Sequence, residues 1–182
     1  SVYHLLKSEI SSAIIIFARL KSYKSKDKLF EMFPAYAGSV KYFENNIYPK
    51  ETDLWGSEPN PGVDNDPRLT VLFERLLPGT GGYFDSINHL PQAQDIKSNQ
   101  REMITANVLA LSNDKAKVFL AHEFQHLISF NQKELSRDTV EDVWLNELRS
   151  QYSITLAGYN NNTNDSDLSQ RASVFLSNPT DS

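Results

Sequence analysis

The sequence predicts an α+β domain. Three observations carry that expectation: β-favouring runs gather in the middle of the chain, helical periodicity flanks them on both sides, and 182 residues suit one domain. A composition of 40% hydrophobic and 11% aromatic residues is enough to build a core and argues against general disorder.

Each element follows from its residues. Residues 3–20 (YHLLKSEISSAIIIFARL) read as a helix, because Leu6, Ile10, Ala13, Ile14 and Phe17 recur at the three-and-four spacing of one buried face. A second helix is expected over 27–47, capped by Ser25 or Asp27 and broken or kinked at Pro34. Residues 49–68 hold four prolines and two glycines and read as a loop. Leu69 to Leu77 is a core strand stopped by Pro78-Gly79, Gly81 to Asp85 a short strand, and 102–111 (EMITANVLAL) another strand. Ser112, Asn113 and Asp114 offer caps for a helix over 115–133. Thr139 and Asp142 have the spacing of a capping box for a last helix, which Gly158 ends after Ala157. The expected organisation is one domain: N-terminal helices over 1–48, sheet and central helix over 49–133, and a helical part over 134–182.

Composition narrows the functions. Eighteen Lys+Arg against 23 Asp+Glu leave a formal charge of -5 without a long basic run, so nucleic acid is not expected as a partner. With no Cys there is no disulfide framework, thiolate nucleophile or Cys-ligated zinc, and any metal must be held by His and carboxylates. The longest apolar run, Ala13 to Ala18, is far short of the ~20 residues a spanning helix needs. Ser1 does not open a signal peptide, so a mature or excised form is expected, acting as a monomer.

His122-Glu123-Phe124-Gln125-His126 matches H-E-x-x-H. On a helix, positions four apart differ by about 400° of rotation, so both imidazoles leave one face a turn apart and can reach one metal. Glu123 leaves at a different angle, beside the metal, where it meets a water. Two His do not complete a zinc site. Glu147, in Trp144-Leu145-Asn146-Glu147 on the following helix, is the candidate third ligand, since the loop from Asn131 to Asp138 can turn that helix back across the first. The plain alternative is a pair of partnered core histidines. The remaining His4 and His89 have no ligand-like neighbours and read as structural or exposed. Asp64-Asn65-Asp66 and the Asn/Asp tract at 160–167 are candidate Ca²⁺ ligands or solvated turns.

HEFQH followed by WLNE resembles the gluzincin metallopeptidases. The longer run AHEFQHLISFNQK, with the upstream GGYFDSIN and SNQREM, resembles the hyicolysin-type family of bacterial extracellular zinc peptidases over roughly residues 50–180. The resemblance implies a zincin-like fold: a twisted mixed β-sheet packed on the active-site helix, with a helical lower part supplying the third ligand. It implies Zn²⁺ on His122, His126 and Glu147, Glu123 as catalytic base, and Asn146 orienting a ligand His. It places Tyr83 and Phe84 on an edge strand that pairs with extended substrate. Protein or peptide substrates and a secreted or cell-surface location follow from the same likeness.

Two departures motivate a rival. Where the family carries an acidic residue or His four positions past the ligand Glu, this chain has Gln151, which lacks the charge that strengthens a ligand His. No Tyr or His lies between His126 and Glu147 to steady an oxyanion; Tyr152, Tyr159 and Arg149 come afterwards, and Tyr152 is the candidate. The expected function is therefore a zinc-dependent endopeptidase using water activated by zinc and Glu123 as general base. The rival is a zincin-scaffold surface protein with weak or no turnover that binds host or matrix partners.

Overall fold

A computed structural model describes residues 16–20, 34–113 and 115–159, together with 173 and 177. Strand β1 (Ile16–Leu20) is followed by helix α1 (Pro34–Tyr42), a π-helical turn (Phe43–Ile47) and helix α2 (Tyr48–Trp55). Strands β2 (Leu69–Glu74), β3 (Gly82–Phe84) and β4 (Met103–Asn107) come next, with 3-10 turns at Ser86–His89 and Val108–Asn113. Helix α3 (Lys115–Ser129) runs into a second π-helical turn (Phe130–Leu135), and α4 (Val143–Leu156) closes the described fold. The architecture is mixed α+β, and among the described residues no helix is long and apolar enough to cross a membrane.

The sheet has the order β1-β2-β4-β3. β2 lies parallel to β4, while β1 and β3 run antiparallel to β2 and β4 respectively. Central β2 has Leu69, Thr70, Val71 and Phe73 buried on both faces, as a covered strand requires. α3 packs against β4, β3 and α4, and its Leu120, Ala121, Phe124, Leu127 and Ile128 join the core. Phe124 meets Phe43 edge-on at 5.0 Å and stacks on Tyr48 at 5.4 Å, tying α3 to the N-terminal helices.

Several expected boundaries move. Ile16–Leu20, read as part of a helix, is a strand paired residue for residue with Leu69 to Phe73. The run of isoleucines before Phe17 suits a strand as well as a helix, and pairing with β2 decides between them. Residues 3–15, His4, the 160–167 tract and Asp114 lie outside the described residues. Helix continues past its expected end at 47 into the expected loop, because Pro49 falls in the first turn of α2, where a missing N–H costs little. Gly56, at φ 90°, ends that helix instead. β2 stops at Glu74 because its partner stops at Asn107, the last residue in register. Asn107 turns the chain away from β4: its Oδ1 accepts from the Leu109 N–H at 3.1 Å and its Nδ2 donates to the Thr80 carbonyl at 2.9 Å.

The capping box is not formed. Asp138 adopts φ 50°, Thr139 Oγ1 donates to the Arg137 carbonyl at 3.0 Å, and α4 starts four residues later without a side-chain cap from Asp142. The other end matches expectation: Gly158, at φ 97°, lets its N–H reach the Thr155 carbonyl and the Tyr159 N–H reach that of Ile154. Tyr42 donates to the Ala157 carbonyl at 2.7 Å, fixing that end against α1. Asp64 Oδ1 accepts from the Asp66 N–H and Asp66 pairs with Arg68 at 2.5 Å, so this acidic turn is spent on its own loop and the Ca²⁺ expectation gains no support.

Candidate metal centre

The buried apolar face of α3 sets the rotation of that helix and leaves His122 and His126 on the side facing α4. Their rings lie 4.8 Å apart at 80° and keep 17% and 15% side-chain exposure. α4 crosses over them and delivers Glu147. Nε2 of His122 and Nε2 of His126 are 3.1 Å apart, and the Glu147 carboxylate oxygens stand 3.5 Å and 3.6 Å from them.

Those three distances test the fit of a metal. Ligands about 2.0–2.1 Å from a tetrahedral zinc stand about 3.3–3.4 Å from one another, so the observed edges outline such a site. Two neutral imidazoles and one carboxylate are the donor types zinc takes where a fourth position stays open. Among the described residues, His122, His126 and Glu147 are the group that could hold a metal ion.

The tautomer of His126 is set from behind. Its Nδ1 faces Asn146 Oδ1 at 2.5 Å and Ser150 Oγ at 3.0 Å. With Asn146 Oδ1 as acceptor, Nδ1 carries the proton and Nε2 turns a lone pair to the centre. Asn146 thus meets a ligand His, as expected. Gln151 is 6% exposed, and no described hydrogen bond joins it to either histidine; Ser150, which sequence reasoning did not single out, holds that place. Its spacing of four from Asn146 puts both residues on one face of α4, and this was the available signal.

Glu123 lies beside the triad beneath β3. Burial pushes its carboxyl up to about 8, the Glu147 carboxylate adds to the rise, and a Phe84 backbone N–H offsets part of it. Gly82 makes this approach possible, since a Cβ there would stand 2.7 Å from the Thr105 carbonyl and 3.0 Å from Glu123 Cγ.

An open cleft of about 540 Å³ joins the parts, lined by β3 from Gly82 to Phe84, by Asp85, Phe130 and Glu134, and by the histidines, Glu123 and Glu147. β3 is the outer strand, so Tyr83 and Phe84 do border the cleft on a sheet edge. The Tyr83 hydroxyl, however, donates to Glu74 at 3.0 Å. Tyr152 does not line the cleft: it is 51% exposed and packs edge-on to Trp55 at 6.3 Å, because five positions along a helix turn it about 140° from Glu147. Arg149 pairs with Glu141 at 2.5 Å, and Tyr159 packs on Tyr42 at 5.5 Å. His89 is buried, with Nδ1 3.4 Å from Glu102. Asp85 and Phe130 lie within the runs GGYFDSIN and AHEFQHLISFNQK but were not singled out as site residues, and Glu134 lies outside both.

The chain is similar to the neutral metalloprotease ShpI of Staphylococcus hyicus, with 31% identity over 119 residues, covering 58% of this chain and 27% of that protein. It therefore spans about a quarter of the length of this relative. No family model and no solved structure matches the chain. The likeness points to a metallopeptidase family, and the His–His–Glu group agrees with a metal cofactor.

Proposed function

We propose that the chain is the catalytic part of a zinc-dependent endopeptidase of the gluzincin type, close to the hyicolysin-like family, acting on proteins or peptides outside the cell. The observation that carries the reading is the triad His122, His126 and Glu147, with edges of 3.1, 3.5 and 3.6 Å opening on a cleft walled by an edge strand. The likeness to a metalloprotease supports it. Bound there, zinc would supply Lewis acidity toward water and the scissile carbonyl. The open edge of β3 offers main-chain groups to an extended peptide. Glu123, beside the triad and under that strand, takes a proton from water and returns it to the leaving amine. Asn146 and Ser150 keep His126 in the tautomer that binds metal. The open cleft beside an edge strand suits internal peptide bonds.

The second reading, a zincin-scaffold protein that binds partners with little turnover, draws on one observation: the side chains of Tyr152, Arg149 and Tyr159 are all engaged away from the cleft. A quenched-peptide assay with and without chelator decides. Chelator-sensitive cleavage is the expected result, and absence of cleavage by zinc-replete protein would overturn the peptidase reading.

A further inference from the structure

Gln125, Ser129 and Ser150 are 1%, 3% and 0% exposed where α3 meets α4. Buried polar side chains require partners, and these three find them in one another. Ser150 Oγ is 2.6 Å from Gln125 Oε1, and Gln125 Nε2 donates to Ser129 Oγ at 2.8 Å. Ser129 Oγ lies 3.5 Å from Glu141 Oε2, the longest link. Glu141 has 5% of its side chain exposed and is held by Arg149 at 2.5 Å and Lys133 at 3.9 Å.

Donor and acceptor roles give this row a direction. The His126 Nδ1–H is shared: Asn146 Oδ1 at 2.5 Å is the nearer acceptor and Ser150 Oγ at 3.0 Å the second. The Ser150 proton then goes to Gln125 Oε1, which is nearer than the alternative Asn146 carbonyl at 3.0 Å. Gln125 can donate only from Nε2, which leaves the Ser129 hydroxyl free to donate to the carboxylate. The second branch of the imidazole N–H and every donor from Ser150 onward therefore point toward Glu141. Hydrogen bonds in such a head-to-tail row polarise one another, and one that ends on an anion draws each proton outward.

We propose that Ser150, Gln125 and Ser129 are positioning residues that connect His126 to Glu141, so that a carboxylate three side chains away strengthens the ligand nitrogen. This rests on the zinc-site reading above. No proton leaves its residue.

The test pairs zinc affinity, by chelator competition, with the nuclear magnetic resonance shift of His126 Nδ1–H in zinc-free and zinc-loaded protein. Loss of a direct partner, as in Ser150→Ala, should weaken zinc about 10–100-fold, and Ser150→Thr should restore it. Ser129→Ala and Glu141→Gln, neither touching His126, should each cost about 3–10-fold and move the Nδ1–H signal upfield, as expected for a row that polarises as a unit. Glu141→Gln is nearly isosteric and guards against a Ser129→Ala protein that fails to fold. If both distant variants keep the wild-type affinity and signal, the proposal is overturned. If wild-type protein binds no zinc yet the distant variants move the zinc-free signal, the zinc reading falls and the connection stands.

Discussion

Glu123 and Glu147 are neighbouring carboxylates with different surroundings, and the proposed function gives them different tasks. Glu147 keeps 42% side-chain exposure and stands within 3.6 Å of both imidazoles, whereas Glu123 is buried under Phe84 with its carboxyl pushed up to about 8. Glu147→Ala should therefore lower zinc affinity by more than the 10–100-fold typical of losing an indirect partner, as elemental analysis and chelator competition would show. Glu123→Gln should keep zinc and fold while peptide turnover drops about 100- to 10,000-fold, the usual share of a positioned general base. Turnover at the wild-type rate would remove Glu123 from the mechanism. At this scale the H-E-x-x-H spacing was legible, because helix periodicity alone places the two imidazoles together. Ser150 and Gln125 were not, since single Ser and Gln residues are common on helices and only the packing of α4 on α3 shows what they meet.

At the scale of elements, α3 and α4 hold the site between them and β3 walls its cleft. Phe124 fills the space between α3 and the N-terminal helices at 0% exposure, and Phe124→Ala should cost about 3–5 kcal/mol in urea unfolding. Gly82→Ala places a methyl 2.7 Å from a backbone oxygen of β4. The strand must then shift, which should cost about 1–3 kcal/mol and reduce turnover beyond what lost stability explains. Equal effects on the two would detach β3 from substrate binding. The strands at Leu69, Gly82 and Met103 and the helix through the motif were readable from local pattern. β1 was not: its apolar run satisfies either period, and pairing with Leu69 to Phe73 settled it.

At the scale of the whole molecule, a buried carboxyl on α2 links stability to pH. Glu51 on α2 is 0% exposed, and burial holds its carboxyl well above the usual range. Ser153, which accepts from Trp55 Nε1 at 3.0 Å, faces it and pulls back only part of the rise; no hydrogen bond of good geometry reaches either oxygen. A raised carboxyl keeps its proton in the folded state after the unfolded chain has lost it. Its penalty is therefore absent near pH 4 and grows as pH rises above 4.5 toward the raised value. Glu51→Gln in chelator-treated protein should match wild type near pH 4.5 and unfold at higher urea near pH 8. A constant difference across that range would place Glu51 in contact with a compensating cation. The sequence by itself determined that a metal had to be held by His and carboxylates, that two imidazoles share one helical face, and that β-favouring runs lie between helices. These follow from composition and short-range periodicity. Only the tertiary structure decided the pairing of β1, the closure of Glu147 onto the histidines, and the buried row from His126 to Glu141. Each of these needs residues distant in sequence to meet, and local pattern does not encode where separate helices and strands cross.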